Sequence, residues 1–188
     1  MKRSIFGAAA LALALSASTV QAQRPFSVGV ALGATVPVSD LGDDFDTGYH
    51  GTVSVNFSPP ALPVGVRIEG AFNQLAGTDG GIVEFNDYRI LSVTANATLG
   101  IPMAMSPISP YLVGGLGLYR TSYECTGCQD PKSNDLGFNI GVGTKFGMAG
   151  FGAFVEARYH YVQGEEDSQG NGPGSVIRFI PISFGIMF

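Results

Sequence analysis

Apolar residues recur at every second position along most of this chain. Residues 26–36 set Phe26, Val28, Val30, Leu32, Ala34 and Val36 against Ser27, Gly29, Ala31, Gly33 and Thr35. A period of two, with one greasy face and one small or polar face, predicts a β-strand. The pattern returns from Tyr49 to Phe57, where Tyr49, Val53, Val55 and Phe57 oppose His50, Thr52, Ser54 and Asn56. Residues 64–74 repeat it, with Val64, Val66, Ile68 and Phe72 against Gly65, Arg67, Glu69, Ala71 and Asn73. Leu91–Leu99, Leu136–Phe146 and Ala153–Tyr161 are built alike. The less apolar face of the last of these carries Glu156, Arg158 and His160, and Lys145 holds that face of its predecessor. The closing stretch keeps Val176, Ile180, Ile182, Phe184, Ile186 and Phe188 in step, although Ile177, Phe179 and Met187 blur the contrast. Residues 110–119 are less regular, because Gly114 falls on one face and Gly115 and Gly117 on the other. Tyr111, Val113 and Tyr119 are expected to face outward there, placing a Tyr near each boundary of an apolar layer.

That makes eight strands, and their connections alternate in length. Short turns fall near 58–63, 100–109 and 148–151, while longer polar loops span 37–48, 76–87, 120–134 and 164–174. Pro59-Pro60 stops the second strand, since proline cannot donate to a ladder. An apolar strand face can meet lipid if the sheet closes and leaves no unpaired backbone group there. The expected fold is all-β, an eight-stranded antiparallel transmembrane up-and-down barrel. Both termini and the short turns should share one end of it. A soluble ligand-binding barrel would reverse the faces and leave Phe138, Ile140, Val142 and Phe146 unexplained.

The chain begins with Lys2 and Arg3, an apolar run from Ile5 to Leu15, and the small-residue site Val20-Gln21-Ala22. This is the order of a cleaved secretory signal, too short for a retained spanning helix. Residues 1–22 are therefore expected to be removed, leaving one domain over 23–188. Ten Lys and Arg less Lys2 and Arg3 leave eight against fifteen Asp and Glu, a net charge near −7. Such a balance argues against nucleic acid as a partner, because phosphate backbones select basic surfaces.

With the signal, the strand count, Pro110-Tyr111-Leu112 opening the fifth strand and the terminal Phe188 in view, a resemblance can be stated. The mature chain resembles small eight-stranded outer-membrane barrels of the OmpA transmembrane-domain and OmpX type, and outer membrane protein β-barrel domains more broadly. The resemblance implies the bacterial outer membrane, with lipid and lipopolysaccharide around the barrel. It also implies that Phe188 is the signal read by the barrel-assembly machinery. Architecture of this kind does not fix function.

Candidate chemistry is sparse. Cys125-Thr-Gly-Cys128 lies in a polar loop rather than at the start of a helix, where a reactive thiol would be activated. No His is near in sequence to complete a zinc site. A loop-stapling disulfide formed after export is expected of Cys125 and Cys128. His50 and His160 both fall on inward faces, which suits buried, hydrogen-bonded imidazoles. An outer-membrane lipid A deacylase pairs His with Ser, whereas Val162 stands two residues after His160. Gly141-Val-Gly-Thr-Lys145 lacks the spacing of a phosphate loop and alternates as a strand. The acidic residues, among them Asp40, Asp43, Asp44, Asp46, Asp79, Glu84, Asp87, Glu124, Asp130, Asp135, Glu165, Glu166 and Asp167, gather in or beside the long loops. Their hard oxygens would suit divalent cations shared with lipopolysaccharide phosphates, although polar loops are ordinary.

Inside, Arg67 and Glu69 on the third strand and Glu156, Arg158 and His160 on the seventh should face each other across the lumen. Lys145 should lie beside them. A turn at Ala149-Gly150 sets Gly143 opposite Glu156 and Gly141 opposite Arg158, which leaves room for long side chains to cross. Charges there are expected to pair and plug the barrel. The expected function is non-enzymatic, structural or surface-interacting, with no cofactor. A narrow channel is the alternative, and a lipid-modifying enzyme stands third.

Overall fold

Alternation, turn residues and length together produce eight strands and one helical turn in the computed structural model. It describes residues 25–59, 62–77, 88–102, 108–123, 132–148, 151–164 and 176–188. In order they are β1 (Phe26–Pro37), helix α1 (Asp40–Asp44), β2 (Phe45–Phe57), β3 (Val64–Gly77), β4 (Tyr88–Gly100), β5 (Ile108–Tyr123), β6 (Lys132–Met148), β7 (Phe151–Gln163) and β8 (Val176–Met187). Each strand pairs antiparallel with the next, and β8 returns to β1, so the sheet is a closed barrel. At 12 to 17 residues, the strands exceed the ~9–11 that a tilted strand needs to cross a bilayer. Reciprocal bonds between Val28 and Phe188, N–H to O at 3.1 and 2.9 Å, fasten the last residue into the seam.

Closure sorts the side chains by register. Val28, Leu32, Val53, Ile68, Val93, Leu116, Ile140 and Phe184 stand on the outer wall, exposed. An apolar wall of this extent is stable only against lipid or a partner. Polar residues go inside, where Ser54, Asn56, Thr94, Asn96, Asn139 and Ser183 are buried.

β5 runs opposite to the expectation for its faces. Tyr111, Val113 and Tyr119 point inward, with Tyr111 2% and Tyr119 1% exposed, and Leu116 and Leu118 face outward at 70% and 62%. The reason lies in the hydroxyls. A buried tyrosine needs a hydrogen-bond partner, and the lumen supplies Glu156 at 2.6 Å from Tyr111 and His160 at 2.9 Å from Tyr119. Leucine has no polar atom to satisfy and takes the outer wall.

A second departure concerns the stretch 37–48, expected to be a loop. It folds into α1 and the start of β2. Between Asp46 and Tyr49, β2 carries one residue more than β3 does between Ala76 and Gln74. This bulge flips the parity of the strand. Tyr49 faces outward, yet Phe45, which would share its face in an unbroken strand, turns in and stacks on Tyr88 with ring centroids 5.0 Å apart. Leu41 of α1 joins Phe45, Leu75, Tyr88, Ile90, Tyr119, Val162, Ile177 and Phe179 in an apolar cluster across the loop end of the lumen. Ile177 and Phe179, which blur the alternation of β8, are its members from that strand. The 120–134 stretch is also partly strand, since β5 and β6 pair out to Ser122 and Lys132.

The cluster behaves as a small core, so its leucines should be worth more than those on the wall. Leu75→Ala, at a fully buried site, should cost about 2–5 kcal/mol. Leu116→Ala should cost less, because lipid fills the gap it leaves. Denaturant titration of the folded barrel, read by the gel shift between boiled and unboiled protein, compares the two.

Candidate functional site

A spacing of two along a strand keeps residues on one face, so Arg67 with Glu69 on β3 and Glu156 with Arg158 on β7 all project inward. β3 and β7 lie four places apart in the closed order and therefore face each other across the lumen. Room for the crossing comes from β6, where Gly143 sits opposite Glu156 and Gly141 opposite Arg158. A Cβ on Gly141 would collide with the Arg158 side chain, and one on Gly143 with the Tyr111 ring.

The four side chains form an alternating ring. Arg67 Nη1 donates to Glu156 Oε2 at 2.7 Å, and Arg158 Nε lies 2.8 Å from Glu156 Oε1. Arg158 Nη2 donates to Glu69 Oε1, and Arg67 Nη1 stands 3.8 Å from Glu69 Oε2. Tyr111 donates to Glu156 Oε2 at 2.6 Å, and Arg67 Nε donates to Asn56 Oδ1 at 2.8 Å. The Arg67 guanidinium also lies 5.7 Å from the centroids of both Tyr111 and Phe154. All four charged groups are only 1–4% exposed. Such a ring is tolerable because its charges sum to zero and each carboxylate is shared between two guanidiniums.

His160 and Lys145 are not in the ring. His160 sits in the loop-end layer, its Nδ1 2.9 Å from the Tyr119 hydroxyl and its ring stacked on Phe179 at 4.7 Å. Lys145 lies towards the opposite mouth, its ammonium 5.0 Å from the Tyr111 centroid. Cys125 and Cys128 lie outside the described residues, as do Asp79, Glu84, Asp87, Glu124, Asp130, Glu165, Glu166 and Asp167. Asp135 is buried on the inner face of β6 rather than on the rim, because it shares the parity of Asn139 and Gly141.

One arrangement escaped sequence reasoning. Ser183 Oγ lies 2.8 Å from His50 Nε2, and His50 Nδ1 lies 3.0 Å from Thr35 Oγ1. Thr35 in turn donates to Asn73 Oδ1 at 2.9 Å. With its proton given to Asn73, Thr35 accepts from Nδ1, which leaves Nε2 to accept from Ser183. The distances are those of a nucleophile and its base. All four residues are buried inside the barrel, where the relay satisfies their polar groups. Its members come from β1, β2, β3 and β8, so no local motif could have announced it.

The family model for the outer membrane protein beta-barrel domain matches residues 7–187. The chain belongs to that family. It is a β-barrel protein of the bacterial outer membrane. Among solved structures, neisserial surface protein A superposes with a TM-score of 0.64 at 17% identity, covering 89% of this chain and 98% of the other. A major outer membrane protein of Thermus thermophilus gives 0.55 at 18%, covering 87% and 97%. The N-terminal barrel domain of Pseudomonas aeruginosa OprF gives 0.52 at 12%, covering 89% and 100%. No curated protein sequence matches the chain. At these identities the likeness is one of fold.

Within this family barrel, the ring should behave as a unit. Glu156→Gln leaves two guanidiniums facing one carboxylate and should cost about 3–5 kcal/mol. Asp40→Asn, on an exposed residue, should stay within about 0.5 kcal/mol. Urea unfolding of refolded protein in detergent measures both.

Proposed function

We propose that this protein is a non-enzymatic, non-conducting barrel whose work is done at the cell surface, as a structural or surface-interacting element. The observation that carries the reading is a double closure of the lumen. The charge ring spans the middle, and the apolar cluster with α1 spans the loop end. An eight-stranded barrel is only wide enough for its own side chains, and ions crossing this one would have to break the ring and then enter a dry layer. A channel for small solutes would need a wetted path instead. In planar bilayers the purified protein should show little or no steady conductance. Large, stable currents would promote the channel reading.

With the termini and short turns towards the periplasm, the long loops face outward and Phe188 presents the assembly signal at the inner boundary. Phe188 is half-exposed on the lipid side, consistent with being read there.

The partner we assign to the outer rim is lipopolysaccharide. Among the described residues, the basic side chains on outer-wall positions are Arg89, Arg120 and Arg178, all near the loop end. Arg89 pairs with Ser122 and Arg120 with Leu91, so the two arginines are diagonal neighbours on adjacent strands. In a chain this acidic, basic residues gathered at that one level suit the phosphates of the outer leaflet. Each arginine near a charged membrane surface is worth about 1 kcal/mol. The pair Arg89→Gln and Arg120→Gln should therefore lose about 2 kcal/mol of the stabilisation that added lipopolysaccharide confers. Unfolding midpoints measured with and without lipopolysaccharide test this, and equal gains for both proteins would remove the assignment.

A further inference from the structure

Lys145 is an interior charge that stands outside the ring. The ring consumes Glu69 and Glu156, and Glu156 already holds Arg67, Arg158 and the Tyr111 hydroxyl on its two oxygens. Among the described residues no carboxylate forms an ion pair with Lys145. Its ammonium rests on the face of Tyr111 and looks into a cavity of about 660 Å³ at the mouth beside the termini and short turns. That volume lies in the range of small-ligand sites.

Among the described residues, the cavity walls carry donors and no carboxylate. Ser58, Thr98 and Ser109 line it together with Lys145, Ser109 directly opposite Lys145 in the β5–β6 register, and Leu62, Pro63 and Ile101 form an apolar side. Gly65 is what lets the hydroxyls converge. A Cβ there would lie 2.6 Å from Ser58 Oγ and 2.8 Å from Thr98 Oγ1. The half-buried ammonium shares its cavity with rotatable hydroxyls, and the pull of Glu156 on it from deeper in the lumen is opposed by like-charged Arg67, so an anion entering the mouth meets a positive charge that is not tied up in an ion pair.

We propose that this mouth binds a phosphate or carboxylate group on Lys145, with the Ser58 and Thr98 hydroxyls completing the cradle. The site does not depend on whether the lumen conducts or on the outer rim. Only its address, the periplasmic side, follows from the orientation proposed above. A free anion and the headgroup of an inner-leaflet phospholipid offer the same chemistry.

The test uses full-length barrel with isotope-labelled methyl groups on its lysines, followed by NMR. Inorganic phosphate is titrated against chloride at matched ionic strength in zwitterionic detergent. The protein is then placed in phosphatidylcholine nanodiscs with and without phosphatidylglycerol. A saturable shift of the Lys145 signal with phosphate, absent for Lys132, establishes a free-anion site. A shift seen only with phosphatidylglycerol establishes the same site as a headgroup cradle. Lys145→Gln, which identifies the signal and whose folding is checked by gel mobility, should weaken phosphate binding about tenfold, read in both proteins from the backbone amide of Gly65 in the cavity wall. Phosphate affinity unchanged in that variant, or a Lys145 signal that moves in neither arm or only in parallel with Lys132, would overturn the proposal.

Discussion

A backbone amide left unpaired in hydrocarbon costs several kcal/mol, and everything else in this structure follows from avoiding that. The ladder must close, so β8 returns to β1 and even the terminal Phe188 spends its N–H and C=O on Val28. Closure with eight strands then dictates a narrow lumen. A narrow lumen cannot hold bulk water around many charges, so the inward faces must neutralise one another. The ring of Arg67, Glu69, Glu156 and Arg158 is that neutralisation, and the glycines of β6 are the space it occupies.

The interior is graded along the barrel axis. Among the described residues, Lys145 and a hydroxyl-lined cavity occupy the turn end, the charge ring and the His50 relay lie in the middle, and apolar residues cluster at the loop end. Each layer contains the chemistry its neighbours cannot tolerate. The apolar layer lies on the loop side of the ring, and the ring's charged groups are only 1–4% exposed. Tyr111 joins two layers, with Lys145 over its face and its hydroxyl on the ring, while Tyr119 and His160 bond within the loop-end layer.

The apolar layer also accounts for local irregularity. Ser39 has a φ of 59°, a left-handed value costly outside glycine, and it sits immediately before α1. Arg178 donates to its hydroxyl at 2.8 Å while lying 5.6 Å from the Tyr161 ring centroid. The strained turn and the bulge in β2 act to one end, which is to swing Leu41 and Phe45 into the mouth.

Strand number, strand order and the outer wall were legible from the chain alone, because lipid imposes a strict period of two on every strand it touches. Arg67, Glu69, Glu156 and Arg158 were legible as one cluster for the same reason, since parity and a short turn determine which residues oppose which. Parity says nothing, however, about depth along the axis. Only the folded barrel separates Lys145 and His160 from the ring, or brings Ser183 to His50 from the two ends of the sequence. Where both faces of a segment are mixed, as in β5, periodicity has no preference, and hydroxyl partners on β7 decide that Tyr111 and Tyr119 go inside. One inserted residue in β2 reverses a face without leaving a mark on composition. Local alternation thus determined the wall of this protein, and contacts between distant strands determined its filling, because the wall answers to a uniform solvent and the filling answers to particular neighbours.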